Sequence, residues 1–437
     1  MFERSVRFFD TLMRRYTPDP FIFALLLTIV IFISGLVFTP STPTQMVTYW
    51  GSGFWELVTF TLQMAMVLLT GYVIALTPLA KRALQAIASL ARTPGQTILI
   101  VTLTSLTASL INWGLGLVVG GLLCREIHQL NPKVNFRLLV ASSYSGFLVW
   151  HGGLSASIPL VLATEGNFSQ HLVGGLIPTE LTLFSTLNIC AVSGLFILIP
   201  LCNWCLGRID KNHGVVALVP QKKIAADPSI RSPADWLEKK PYIALLMSLT
   251  GLFYLFNLWI DGKFQLNLNT INTLFLFCGL LLHRTPAAFL QAVNEAAGKL
   301  GPILVQFPFY AAIMGMIGQS GLATIISQAF VSLSTADTYA LWTFYSAGLL
   351  NLFIPSGGGQ WAVQAPVVIE AARAIGADIP KAAMAVAWGD AWTNMLQPFW
   401  ALPLLAIAGL HLRDIMGYCV IILVVSGLYL SGIFMFL

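Results

Sequence analysis

Two ionisable residues, His151 and Asp390, lie inside long apolar segments that are otherwise almost free of charge. A charge held in a bilayer interior is costly, so such a residue defaults to a functional reading. Asp390 suits binding of a coupling cation or carriage of a proton, and His151 titrates in the range a proton carrier needs. Small polar residues surround both. The first run reads Trp150-His151-Gly152-Gly153-Leu154-Ser155-Ala156-Ser157-Ile158-Pro159, and the second reads Trp388-Gly389-Asp390-Ala391-Trp392-Thr393-Asn394-Met395-Leu396-Gln397-Pro398. Hydroxyls, amides and unwound carbonyls of this kind suit a desolvated carboxylate or a sodium ion near Asn112 or Asn394. The competing structural reading is that Ser and Thr only satisfy their own helix backbone, and that His151 and Asp390 face a watery vestibule.

Two further polar interruptions accompany these runs. Asn112-Trp113-Gly114 breaks the stretch 95–124, and Pro355-Ser356-Gly357-Gly358-Gly359-Gln360 breaks 338–369; neither stretch contains Lys, Arg, Asp or Glu. Three glycines allow a tight turn and close approach of backbone to a ligand. A helix that begins near Gln360 offers free N–H groups and a positive dipole end, enough to hold a small carboxylate without an arginine. A Gly-rich packing contact between membrane helices is the alternative.

The interruptions recur at one offset. Asn112 maps to Asn351, His151 to Asp390, Ser155 to Asn394 and Pro159 to Pro398, each pair 239 residues apart. Lipid tolerates broken helices only where the backbone lines a protein-buried or watery cavity, and matched breaks in two halves mark a transporter's midplane site. The substrate-binding candidates are therefore Asn112, Trp113, Gly114, Gly152, Gly153, Ser155, Ser157, Ser356, Gly357, Gly358, Gly359, Gln360, Asn394 and Gln397. Asp390, His151 and Thr393 are the ion-coupling candidates.

The chain around these residues is 57% hydrophobic and 9% charged over 437 residues, which excludes an ordinary soluble domain. Spans of about 20 residues are expected near 20–39, 53–79, 134–162, 179–206, 241–260, 269–283, 302–319, 382–410 and 414–436. Basic residues cluster at Arg4 to Arg15, Lys81 to Arg92, Arg125 to Arg137 and within 207–240. The positive-inside bias then places 20 of 23 basic residues in the cytoplasm, with the N-terminus inside and the C-terminus periplasmic. The same bias accounts for the net charge of +5 and argues against nucleic-acid binding. On this count 95–124 and 338–369 are re-entrant hairpins from opposite leaflets, and 134–162 and 382–410 are discontinuous helices of opposite direction. The expected fold is an all-α polytopic membrane protein with an inverted-topology repeat: 1–206 the first repeat, 207–240 a cytoplasmic linker, 241–437 the second. Residues 81–92 read as a helix lying on the membrane surface.

Enzyme motifs are weak. Gly153-Leu154-Ser155-Ala156 resembles an intramembrane protease string, but Walker A and H-E-x-x-H patterns are missing, and no enzyme activity, cofactor or resident metal is expected. Asn112-Trp113-Gly114-Leu115-Gly116-Leu117-Val118-Val119-Gly120, Val305 to Tyr310, Pro355 to Gly359, Gln397 to Pro403 and the opening Pro18-Asp19-Pro20 resemble the bacterial short-chain fatty acid transporter family along nearly the whole chain. The resemblance implies uptake of small monocarboxylates such as acetoacetate or butyrate across the inner membrane, coupled to H+ or Na+. It also implies kinship with an ion-transporter superfamily of paired hairpins, elevator-like motion and dimeric assembly. It carries the Gly-rich tip onto Ser356, Gly357, Gly358 and Gly359 and the acidic position onto Asp390; the family pattern often has Gly where this chain has His151. An exporter or cation/proton exchanger on the same scaffold is the alternative.

Overall fold

The computed structural model describes residues 20–131, 134–209, 232–352 and 354–437. The N-terminal arginines, Pro18-Asp19 and most of the 207–240 linker lie outside the described residues. Among those described, every regular element is helical.

Four helices start on the same signal, a threonine followed by proline. Thr42, Thr77, Thr93 and Thr285 each accept a hydrogen bond from a backbone N–H of the first turn, and Pro43, Pro78, Pro94 and Pro286 occupy the opening position. The hydroxyl satisfies an orphan donor, and proline's preset φ costs nothing there.

Element order repeats along the chain. The first half runs α1 (Val58–Ala75), α2 (Pro78–Ser89), the two arms α3 (Pro94–Ile111) and α4 (Trp113–Leu130), the pieces α5 (Phe136–Ser145) and α6 (Ser157–Leu162), then α7 (Thr186–Ile209). The second half runs α8 (Gly301–Ser320), α9 (Leu322–Leu333), arms α10 (Tyr339–Asn351) and α11 (Gly357–Ile375), pieces α12 (Ile379–Thr393) and α13 (Pro398–Ala408), then α14 (Met416–Phe436). The short helices α2 and α9 both have 12 residues. Outside this pattern stand Pro20–Phe38, Pro43–Gly53, Gln170–Val173, Pro233–Lys239, Tyr242–Ile260, Leu268–His283 and Pro286–Ala297.

Eight of the described helices are long and apolar enough to cross a membrane, which makes this a multi-pass membrane protein. The expected span at 269–283 has 16 residues. The expected surface helix 81–92 runs instead over Pro78–Ser89, because Thr77 and Pro78 start it earlier. Pro43–Gly53, Pro286–Ala297 and α9 were not expected at all; each is 11 or 12 residues long, too short for the hydropathy of a span. The arms also outrun their expected limits, since α4 continues to Leu130 and α11 to Ile375. One arm, α3, is by itself long and apolar enough to cross a bilayer.

Both segments change helix type partway along. Between α5 and α6 the chain tightens into a 3-10 helix over Gly146–Gly152. Between α12 and α13 it does so over Asn394–Leu396. Tight turns of this type inside a longer helix mark strain or function.

Candidate functional site

Each pair of arms turns halfway along a long helix. At the first turn, Asn112 caps α4 by accepting from the Leu115 N–H at 2.9 Å, and its Nδ2 donates to the Val67 carbonyl at 3.1 Å. Val67 is near the middle of α1. At the second turn, Ser356 caps α11 by accepting from the Gly359 N–H at 3.4 Å. A Cβ on Gly359 would press into the ring of Tyr310, near the middle of α8. Asn112 is thus matched in capping role by Ser356, whereas its positional equivalent Asn351 ends the first arm. The second turn is longer by the stretch Leu352 to Ser356.

The first turn docks on the first break. Ser155 accepts from the Trp113 N–H at 2.9 Å, and the Leu154 N–H donates to the Leu110 carbonyl at 2.7 Å. Gly153 lies so close to Leu110 that a Cβ would overlap its carbonyl. The second turn docks on the second break in the same sense. Asn351 Nδ2 reaches the Asp390 carbonyl at 2.7 Å, Thr393 Oγ1 at 2.9 Å and Asn394 Oδ1 at 3.0 Å. Gln397 donates back to the Asn351 carbonyl, and Gln360 donates to the Ala347 carbonyl at 2.8 Å. Asn351 Oδ1, Gln360 Oε1 and Gln397 Oε1 are buried acceptors with no hydrogen-bond partner in the protein. Buried polar atoms are normally satisfied, so these amides are suited to an additional ligand such as a sodium ion.

The two breaks meet each other. His151 Nδ1 stands 3.1 Å from Asp390 Oδ2, with both side chains wholly inaccessible. His151 Nε2 lies 2.7 Å from Ser157 Oγ and 3.5 Å from the Ile158 N–H. Trp150 stacks on the imidazole at 3.8 Å between ring centroids. Gly357 of the second turn covers the ring, since a Cβ there would overlap it. Gly358 abuts Phe60. Other ties cross between the halves. Tyr144 OH donates to the Asn394 carbonyl at 2.6 Å, and Asn188 joins the Gly152 carbonyl at 3.0 Å to the Trp388 indole at 3.0 Å.

The residues of the site therefore form three groups: Asn112, Trp113, Gly114, Gly153 and Ser155; Asn351, Gln360, Thr393, Asn394 and Gln397; and between them His151, Gly152, Ser157, Gly357 and Asp390, with Ser356, Gly358 and Gly359 completing the second turn against Phe60 and Tyr310. Asn112 and Ser155 both bond backbone groups in this state. Asn351, Asn188 and Tyr144 were left out of the candidate set. Asn188 had a usable signal, as an amide in the 24-residue apolar helix α7; Tyr144 had none beyond its place before the break. Gln63, a further amide of α1, bonds Asn269 at 2.9 Å rather than a turn.

Two cavities reach this region. One of 330 Å³ is lined by Leu68, Tyr72, Trp113, Gly114, Lys299 and Trp400. Another of 590 Å³ touches Leu154, Leu176, Glu180, Phe184 and Phe264. The first is lined from α1 by Leu68 and Tyr72, whose hydroxyl contacts Glu295 at 3.3 Å, and the second is bounded by residues of 154–184 and by Phe264 to Leu266. Leu154 and Trp113 flank the Trp113–Ser155 hydrogen bond, one touching each cavity.

A model of the short chain fatty acid transporter family matches residues 1–437. The chain is 43% identical over 446 residues to a protein of Escherichia coli (strain K12), with complete coverage of both chains. It is 40% identical over 448 residues to one of Haemophilus influenzae, covering 99% of this chain and all of that one. Both relatives are described as candidate short-chain fatty acid transporters. Among solved structures, the crystal structure of the Alcanivorax borkumensis YdaH transporter, described as having an unusual topology, is similar with a TM-score of 0.56 at 15% identity. The match covers 95% of this chain and 98% of that one, and at that identity the likeness is one of fold.

Proposed function

The chain belongs to the short-chain fatty acid transporter family, and we propose that it is a secondary active transporter of small monocarboxylates such as acetoacetate or butyrate, driven by H+ or Na+. The observation that carries this reading is the convergence of both turns on both breaks at mid-height of α1 and α8, a buried polar zone with one cavity reaching Trp113 and another reaching Leu154. The arms then act as re-entrant hairpins entering from opposite leaflets, and the halves as an inverted repeat in the inner membrane with the N-terminus cytoplasmic.

In this reading the carboxylate lies between the turns, held by the N–H groups at the start of α4 and α11 and by Asn112, Ser155, Ser356 and Asn394. The acyl tail lies against the apolar wall of Leu68, Trp113 and Trp400. The Trp113–Ser155 bond is the septum between the cavities, and it opens as hairpins and broken helices slide together against the remaining helices. Thr393 and the unpartnered amide oxygens of Asn351 and Gln397 offer a sodium site; His151 and Asp390 offer a proton site.

The test is uptake of labelled acetoacetate into proteoliposomes under imposed ion gradients, with protein-free liposomes as baseline because short acids cross bare bilayers in their protonated form. Saturable uptake competed by butyrate is expected. Uptake no faster than the baseline under either gradient overturns the substrate assignment.

A further inference from the structure

We infer that the coupling ion is a proton, bound by the His151–Asp390 pair in a ratio of one per monocarboxylate, so that transport moves no net charge. The inference rests on the transport reading above and specifies its driving ion.

The geometry is that of a proton-holding pair. Nδ1 faces Asp390 at 3.1 Å and neither side chain is exposed. The Ile158 N–H can only donate, so Nε2 of the neutral ring accepts from it and from Ser157. That leaves the neutral ring's proton on Nδ1, 3.1 Å from Asp390 Oδ2, where neither Nδ1 nor the carboxylate oxygens complete a hydrogen bond in this state. Ser157, His151 and Asp390 have the connectivity of a hydrolytic triad. All three are sealed from solvent here, which suits a relay better than a nucleophile.

The surroundings offer no competing charge. Trp150 stacks on the ring from its own segment, Gly357 covers it from α11, and Asp390 meets it from α12. Asn188 of α7 is neutral and bonds the neighbouring Gly152 carbonyl. Among the described residues Asp390 is the only acid paired with His151, and neither turn nor break contains Lys or Arg.

Charge balance fixes the ratio. Unpaired charge in a dry site is strongly disfavoured. With one shared proton the pair is neutral, either as imidazolium and carboxylate or as imidazole and carboxylic acid. A bound monocarboxylate adds one negative charge, and neither turn nor break carries a lysine or arginine to offset it, Lys299 belonging to the lining of the 330 Å³ cavity. A second proton, taken from water on the entry side, makes the pair imidazolium plus carboxylic acid and restores neutrality. On the exit side the anion leaves and that proton returns to water. The loaded and the empty carrier are both neutral, so both can move through the low-dielectric interior. Gly357 couples the two events by position, because the turn proposed to cradle the anion rests directly on the imidazole.

The experiment measures labelled acetoacetate in proteoliposomes, above protein-free baseline, in four arms: equilibrium exchange, a pH gradient at zero potential, a potassium diffusion potential with valinomycin at equal pH, and a sodium gradient. The expected result is exchange plus accumulation driven by the pH gradient alone. His151→Gln and Asp390→Asn should each lower gradient-driven accumulation at least tenfold relative to the exchange rate of the same variant. If those variants do not fold, the wild-type arms decide by themselves, and Ser157→Ala should shift the pH profile of accumulation. Accumulation driven by sodium or by potential, with exchange intact, overturns the proton assignment and leaves the transport reading standing. Wild-type accumulation in His151→Gln or Asp390→Asn overturns it as well. Absence of exchange in the wild-type protein overturns both.

Discussion

His151 and Asp390 are 239 residues apart in the chain and 3.1 Å apart in space. They hold equivalent places in the two runs of small polar residues, so the contact joins each run to its own counterpart. A pair of this kind lies where the two halves face each other. A shift of one half against the other would change its distance, its access to water, or both.

This relationship predicts coupling between the two positions. Asp at 151 in the His151→Asp variant would set two buried carboxylates face to face, and like charges at that range cannot both ionise. Restoring an opposite partner with Asp390→His should recover much of the loss. A double-mutant cycle on exchange rate should give a coupling of at least about 1 kcal/mol. Additive losses would mean the two residues act separately.

Gly357→Ala should impair transport while leaving expression normal. The added Cβ enters space held by the His151 ring and by Ser157 Oγ, and forcing one carbon into a packed site costs about 1–3 kcal/mol. If that strain falls on the transport cycle, the rate drops about five- to hundredfold. Gly166→Ala is a useful control because a Cβ there meets no neighbour within reach, although its φ of +71° adds backbone strain. Wild-type rates in Gly357→Ala would place the second turn away from the working site.

Much of this was legible in the sequence, for a specific reason. Breaks inside lipid-length segments are visible as Gly, Pro, Ser and Asn where Leu and Val are expected. That is how Asn112, Ser356, the run after His151 and the run after Asp390 could be read without coordinates. What could not be read was which break meets which. Hydropathy gives depth but not azimuth, so His151 and Asp390 were identified separately and their contact was not. The helices Pro43–Gly53 and Pro286–Ala297 were missed although Thr42-Pro43 and Thr285-Pro286 announce them; a span-length window averages such short helices into their flanks. The cap equivalence of Asn112 and Ser356 was also hidden, because the fixed offset aligns Asn112 with Asn351 and the extra residues of the second turn fall after it.

Ser155→Ala should loosen the contact between the first turn and the first break. The Trp113 N–H would lose its 2.9 Å acceptor, and an unsatisfied buried donor costs about 1–3 kcal/mol. If the bond is the septum, the variant should raise exchange, substrate leak or both. It should also increase labelling at Leu154→Cys by a membrane-impermeant reagent. Unchanged labelling and transport would move the septum elsewhere.

Asn188→Ala should act on stability more than on substrate preference. Asn188 bonds the Gly152 and Leu183 carbonyls and accepts from the Trp388 indole at 3.0 Å. Its removal leaves that buried indole N–H without an acceptor, a loss of about 1–3 kcal/mol. The melting temperature in detergent should fall, with the order of preference among acids of two to six carbons retained. A reordered preference with unchanged melting would instead make Asn188 part of the binding site.

The central claim is that the two turns, facing each other at mid-depth, enclose the transported anion. The most direct measurement is maleimide modification of Ser356→Cys and Gly114→Cys in a background lacking native cysteines, with and without saturating acetoacetate, applied from each side of the membrane. The account predicts that both positions are shielded by acetoacetate but not by an uncharged analogue, and that in any one state each is reached from a single side. Modification that is equally fast with and without acetoacetate, or open to bulk solvent from both sides at once, would contradict it.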